Sequence, residues 1–388
     1  MAAVAAAYPF IEVFIDTSQL APVAQRAPGV IAIVGSSGGA GTAPVNTPLV
    51  VDTLGDAATL FAAVTGGVAT PNPLYESLRL ALLQDPRPSK IYGVKLAAAD
   101  SAPGLAALEA ADDVTFVSLA NVTAVAELNK LKTHAETMSA AGHKRIAVMM
   151  VDPAIAKSPT YANDVHTGLT GTPNLESSVS RVFMVAARGA KNDIGAPADT
   201  ASAAMAAVAG FAPPTSIVLK RVRGLTIAVA DQYSPSEIKA LSEFGIVPII
   251  QPALIVGGGF FFAEGRLFTT DASLLFMDVM RVLDDADFRL KAGLIGAIGD
   301  SRITKAGLVD LKTRVDGIMG PLKQAATIDD YTIDIPLLNI LSIPESAQTA
   351  GERALVAAAR ANRTVDVFVS VTYGPAVHRL RVTLQPKF

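Results

Sequence analysis

The chain has 388 residues, of which 51% are hydrophobic and only 17% charged, with 0 Cys and a formal net charge of −3 at pH 7. Without cysteine there is no disulfide framework, no thiol nucleophile and no Cys-ligated zinc, and a slightly acidic balance carries no electrostatic footprint for nucleic acid. The length leaves room for about two or three domains, and sparse charge suits a surface packed between copies of itself, because an obligate interface resembles a core cut open.

The first residues, MAAVAAAYPF, lack the basic stretch and long apolar core of a secretory signal and read as a small tail. FIEVFI at 10–15 alternates imperfectly, as a short strand near a terminus does, and Pro22 and Pro28 separate it from the strand VIAIVG. That strand runs into Gly35, Gly38, Gly39 and Gly41, which raises the question of a phosphate-binding loop. Gly39, Ala40 and Gly41 begin a G-x-G-x-x-G, but its sixth position is Pro44, and no Lys-Ser or Lys-Thr follows. Pro44 and Pro48 push the residues before them toward extended geometry, so the segment reads as strand, loop, strand with no helix to aim N–H groups at an anion. No cofactor is expected.

LYESLRLALLQD at 74–85 has helical spacing and is stopped by Pro86 and Pro88 before the strand KIYGVKL at 90–96. VTFVSLA (114–120), a helix over 124–142 and KRIAVMMVDP (144–153) form a β-α-β unit, with Gly142 closing the helix. RVFMVAARG (181–189) is a further strand and TASAAMAAVAGFA (200–212) a small-residue helix, which together predict parallel pairing through crossovers. GIVPIIQPALIVGGGFFFAEG (245–265) is the most hydrophobic region, but Pro248, Gln251, Pro252 and three glycines break it well short of the ~20 apolar residues of a membrane span. It reads as two buried strands around a glycine turn. Helical stretches follow at 271–293 and 303–324, a short strand DYTIDI at 330–335, and a terminal hairpin turning at Tyr373-Gly374-Pro375.

Candidate chemistry is thin. The four histidines, 134, 143, 166 and 378, have no metal-ligand spacing and read as solvated. Gly299-Asp300-Ser301 spells a fragment found at some hydrolase nucleophiles, and reads here as the cap of a helix starting near Arg302. Asp284, Asp285 and Asp287 lack the glycine and closing Glu of a calcium loop and read as a solvated face.

In this order the segments resemble the contractile tail sheath proteins of phage tails, R-type bacteriocins and related contractile injection systems. The likeness rests on APGVIAIVGSSGGAGTAPVNTPLVV with its N-T-P step, LGDAATLFAAV, HKRIAVMMVDP, ASAAMAAVAGFA, and above all the run from LTIAVADQYSPSEIKALSEFGIVPI to GRLFTTD. The chain departs from the family's pattern at Pro248 and Phe262, where Asn and Trp are frequent. The resemblance implies a mixed α/β fold: an N-terminal strand arm (1–25), an outer α/β domain (26–240), an inner α+β domain (241–362) and a C-terminal hairpin arm (363–388). It implies a non-enzymatic subunit that polymerises as stacked hexameric rings around an inner tube and contracts to drive that tube through a cell envelope. Its partners would be further copies of itself, the tube protein, and baseplate and terminal cap proteins, with no nucleic acid and no membrane insertion. Synthesis and assembly would be cytoplasmic, within a phage tail or injection particle. The arm residues would be Phe10, Ile11, Val13, Phe14, Ile15, Val367, Val369, Val371, Leu380, Val382 and Leu384, adding strands to neighbouring subunits. Lys305, Lys312, Arg314 and Lys323 would face the tube. Two alternatives stay open: a nucleotide- or cofactor-binding α/β enzyme, and a non-contractile tube or baseplate protein.

Overall fold

A computed structural model describes residues 29–378. These fall into two compact units, one of residues 29–287, 322–332 and 370–378, the other of 288–321 and 333–369.

The larger unit opens with β1 (Val30–Ser36), β2 (Pro48–Val50), α1 (Leu54–Phe61), a small hairpin of β3 (Val64–Thr65) and β4 (Val68–Ala69), and α2 (Pro73–Leu82). It continues with β5 (Lys90–Leu96), α3 (Ala102–Ala107), β6 (Phe116–Leu119), α4 (Val125–Ala140), β7 (Ile146–Met150), α5 (Tyr161–Leu169), β8 (Val182–Ala186) and α6 (Thr200–Ala209). β9 (Arg221–Val222), α7 (Pro235–Glu243), β10 (Ile246–Ile250) and β11 (Phe260–Phe262) complete its sheet. The 9-stranded sheet has the order β2-β5-β1-β6-β7-β8-β10-β11-β9. From β5 to β10 all pairs are parallel, as the alternation of strands and helices predicts. The sheet therefore runs on past residue 240, and the compact units divide inside a later helix, at 287.

Side chains alternate across a strand, so a sheet covered on both faces needs apolar residues at every position. Ile31 and Ile33 join one core with Phe116, Val148, Val185 and the helices α1, α2 and α6. Val30, Ala32 and Val34 join the other with Val117, Met149, Met184 and α3, α4, α5 and α7. All 10 residues of α6 are buried, which explains TASAAMAAVA, since a helix enclosed on every side leaves room for little beyond Ala and Ser. Pro248, which has no N–H to give, sits where β10 passes from its parallel partner β8 to its antiparallel partner β11.

α8 (Met277–Leu294) begins in the larger unit. Then come α9 (Lys305–Gln324), β12 (Asp330–Asp334), α10 (Pro336–Leu341), α11 (Ala350–Asn362) and β13 (Phe368–Thr372). The smaller unit has its own core of Leu308, Ile335, Leu337 and Val356. β13 pairs with β12 in a separate two-stranded sheet; the second strand of the expected terminal hairpin lies outside the described residues.

Three sequence readings change. His134 is buried at 8% exposure, and its Nε2 accepts from Arg145 Nη1 at 2.8 Å, so one of the four histidines belongs to the core. Asp284 and Asp285 are buried, and Asp284 takes both guanidinium nitrogens of buried Arg181 at 2.6 and 2.9 Å. A helical face carrying these acids is unreadable as buried until the arginine, 103 residues earlier, is brought to it. Helix α9 starts at Lys305, where the Thr304 hydroxyl accepts from Gly307 N–H at 3.2 Å, so Thr304 and not Asp300 or Ser301 supplies the cap.

The turn after β1 is held against the end of α1, where the N–H groups of Thr42 and Ala43 donate to Thr59 and Leu60 carbonyls at 3.1 and 2.9 Å. A Cβ on Gly41 (φ +79°) would meet the Leu60 carbonyl at 2.1 Å, whereas one on Gly39 (φ +82°) would meet nothing within 4 Å. Both Gly→Ala changes carry the left-handed penalty of about 1–2 kcal/mol, but only Gly41→Ala also forces backbone apart. Urea unfolding should place Gly41→Ala at least about 2 kcal/mol below Gly39→Ala; equal midpoints would show that the turn is not packed in this way.

Burial, and then the nearby Arg145 charge, depress the His134 imidazole to about 4. An unfolded histidine titrates near ~6.5, so between those values the unfolded chain holds the extra proton and stability rises with pH. The neutral ring's contribution is complete above about pH 6.5 and is lost as pH falls through about 4. Wild type should lose about 2–3 kcal/mol more than His134→Gln between pH 7 and pH 4.5 in matched denaturant titrations; parallel pH profiles would contradict a buried neutral imidazole.

Candidate functional site

In an open parallel sheet, ligands bind beyond the carboxyl ends of the strands where the winding reverses. Here the chain passes from β1 to β5 on one side and then to β6 on the other, which puts that point between β1 and β6, at the glycine turn. A phosphate cradle needs free N–H groups converging on the anion. The turn uses several of its donors internally: Gly38 N–H donates to Ser36 Oγ at 3.1 Å, and Ala40 N–H to the Ser37 carbonyl at 3.1 Å, beside the Thr42 and Ala43 bonds to α1. What it turns inward is oxygen. The ammonium of Lys95, only 7% exposed, donates to the carbonyls of Gly39 and Gly41 at 3.3 and 3.2 Å. Sequence pattern shows the glycines but not the lysine 54 residues away that the turn wraps.

Next to it, a cavity of about 210 Å³ is lined by Pro71, Leu80, Asn121, Ile194 and Asp199 among others. The buried Asp199 carboxylate is fully engaged: Ser77 Oγ and Ser202 Oγ donate to it at 2.6 Å each, and the N–H groups of Asn121 and Ser202 at 3.0 Å each. It caps α6 and ties that helix to α2 and to the loop after β6. The arrangement fixes three elements.

Farther along the strand ends, the Arg188 guanidinium lies between the rings of Tyr161 and Tyr233, 4.5 and 4.8 Å from their centroids. It donates to Glu237 Oε1 at 2.7 Å and to the Asp231 carbonyl at 3.1 Å. Burial would push the Glu237 carboxyl up, but hydrogen bonds from Arg188 and Ser234 outweigh it and bring the group down to about 2. A cation with an anion and two ring faces is a clamp between β8 and α7. Among the described residues no group of three His, Cys, Asp or Glu side chains could hold a metal ion, and no helix is long and apolar enough to cross a membrane.

The other candidates from the sequence are the chain ends and α9. Phe10, Ile11, Val13, Phe14, Ile15, Leu380, Val382 and Leu384 lie outside the described residues. Val367, Val369 and Val371 are half-buried, and Val367 packs against the core of the smaller unit. The alternation of DYTIDI matches that of β13, a signal from which their pairing could have been read. Tyr373 donates to the buried Asp278 carboxylate at 2.8 Å, and His378 sits 2.9 Å from Ser216 Oγ and 3.3 Å from Glu264, so the segment after β13 is anchored on the larger unit. Along α9, Lys305 and Lys312 are exposed. Arg314 is bonded to Asp310 at 2.8 Å and Lys323 to Asp330 at 2.6 Å, so two of the four expected tube-facing cations are paired locally.

No protein-family model and no curated protein matches the chain in sequence. Solved structures do. The sheath complex of PVC, an extracellular contractile injection system, in its contracted state matches at a TM-score of 0.69 and 13% identity, over 99% of this chain and 98% of that chain. The contracted helical sheath of the anti-feeding prophage matches at a TM-score of 0.67 and 14% identity, over 98% of this chain and 99% of that one. The sheath tail protein of Desulfitobacterium hafniense matches at 0.57 and 13% identity, over 83% of this chain and 93% of that one. The correspondence runs the length of both chains with little sequence in common, and this chain has the mixed α/β fold of the contractile tail sheath proteins.

Proposed function

We propose that this chain is the repeating subunit of a contractile sheath, a structural part of a phage-tail-like particle and not an enzyme. The observation that carries the reading is the coverage: 99% of this chain aligns with 98% of a contractile-system sheath chain, so neither has a large part that the other lacks. The bonds of the glycine turn to Lys95 and the four bonds that the Asp199 carboxylate accepts support it, because these polar groups at the usual ligand position hold the fold.

In this reading subunits assemble in the cytoplasm as hexameric rings on an inner tube, bounded by a baseplate and a terminal cap. Contraction draws on small differences in contact energy summed over many copies, and the contacts are heterologous, so the lattice stays open until it is capped. The arms, FIEVFI and the C-terminal segment that holds Leu380, Val382 and Leu384, add to sheets of adjacent subunits, where backbone bonds hold while the loops between act as hinges. β13, with Val369 and Val371, and with Val367 just before it, already pairs with β12 of its own chain.

The grip on the tube belongs to α9. Exposed ion pairs are each worth only ~0–1 kcal/mol and are screened by salt, which permits sliding. Lys305 and Lys312 carry most of this grip, since Arg314 and Lys323 are already paired.

Purified chain should sediment as tubular polymer, and removal of residues 1–20 should abolish the polymer while the circular dichroism melt of the larger unit persists. A truncated chain that still builds sheaths would contradict the arm assignment, and a full-length chain that stays monomeric under all salt conditions would contradict the function. Replacing Lys305, Lys312 and Arg314 together by Gln should at least halve sheath length on purified tubes at low salt, leaving tube-free polymer unchanged. Equal lengths across a salt series would remove α9 from the tube interface.

A further inference from the structure

Among the described residues, the large aliphatic side chains most open to water are Val256 at 99% and Leu254 at 96% exposure. Both belong to the nine residues QPALIVGGG that link β10 to β11 and carry no charge. The loop is built, not slack. Ile255 N–H donates to the Pro252 carbonyl at 3.3 Å, and Gln251 at its root accepts from Gln232 at 2.9 Å. Gly257, Gly258 and Gly259 hold φ values of +95°, +64° and +117°, a run that β-branched residues would not follow. A Cβ on Gly259 would lie 2.8 Å from Arg221 Nε, so that glycine lets the arginine pack on the loop's base. Three residues before Gln232, Val229 is 84% exposed, which adds a third uncovered aliphatic side chain near the same root.

We propose that the 251–259 loop docks on a second copy of this chain, as a small apolar contact repeated at every subunit of a polymer. The inference rests on the sheath reading and names one of its contacts. Two or three aliphatic side chains cover a few hundred Å² at most, well short of the ~800 Å² per partner that a stable pair of proteins needs. The loop is therefore too small to hold a dimer and suits a lattice in which other contacts fix the geometry. An apolar protrusion that meets a different patch on the next copy makes a heterologous, open-ended contact, the kind a helical array requires. The inner tube is the poorer occupant, because an uncharged apolar grip would not weaken as the tube slides past.

The chain contains 0 Cys, so Leu254→Cys introduces a single thiol, at a position whose side chain packs on nothing that the fold depends on. Its maleimide reactivity is compared in dissociated protein and in polymer. A benzophenone maleimide on the same thiol then reports what lies beside it, in tube-free polymer and in sheaths on tubes. The expected result is at least a tenfold loss of reactivity on polymerisation and a photoproduct of two chains in polymer only. An unchanged reactivity in polymer, or a product with the tube protein alone, would overturn the proposal. Leu254→Asp with Val256→Asp should raise the concentration needed for polymerisation at least tenfold without moving the thermal melt; unchanged assembly would equally overturn it. If the wild-type chain forms no polymer at all, the sheath reading fails and this contact with it, whereas wild-type polymer with a reactive thiol removes only the contact.

Discussion

The central parallel sheet is covered by helices on both faces, and most other features follow from that constraint. Strands such as VIAIVG and VFMVA have no water-facing side, so every side chain along them must be apolar or small. Polar and charged groups are expelled to strand ends, where the surroundings are still dry enough that each needs a partner. Lys95 sits on two glycine carbonyls, Arg181 on Asp284, and Arg188 on Glu237 between two tyrosines. Removing one member of the Arg181–Asp284 or Arg188–Glu237 pair typically costs ~3–5 kcal/mol, because the other is left charged and alone. These groups hold secondary structure together.

Under the proposed sheath role, that use of polar groups suits a subunit that would have to move without deforming. On that proposal neighbours would change while the fold stays intact, which would put the stiff part in the body and the compliant part in loops. Interlocked cores around the sheet and clamps at the strand ends supply the first. Tyr373 on Asp278 and His378 beside Glu264 hold the segment that follows β13. Burial and the neighbouring carboxylate push the Tyr373 phenol well above its ordinary range, so this anchor stays protonated at any physiological pH.

Much of the larger unit is legible in the sequence for the same reason. Continuous apolar runs bounded by Gly, Pro and Asp mark β1, β5, β6, β7, β8 and β10, and helical spacing or small-residue content marks α2, α4 and α6 between them. What stays hidden depends on residues apart in the chain. Asp284 reads as solvated until Arg181 reaches it, and His134 until Arg145 does, although the latter is only 11 residues away. The cap of α9 cannot be chosen from sequence because Asp300, Ser301 and Thr304 are all good caps, and only backbone geometry selects Thr304. The exposed tip at Leu254 and Val256 is hidden for the opposite reason, since its apolar residues look like core until the glycine turn is seen to carry them into water.

A helical reconstruction by electron cryomicroscopy of particles from cells producing this chain would show where it sits in an assembly. The expected result is that the chain fills the outer layer around a separate tube, six copies to a ring, with the 29–287 sheet unchanged between long and short particles. Density for the chain in the inner tube, or its absence from the outer layer of contractile particles, would contradict it.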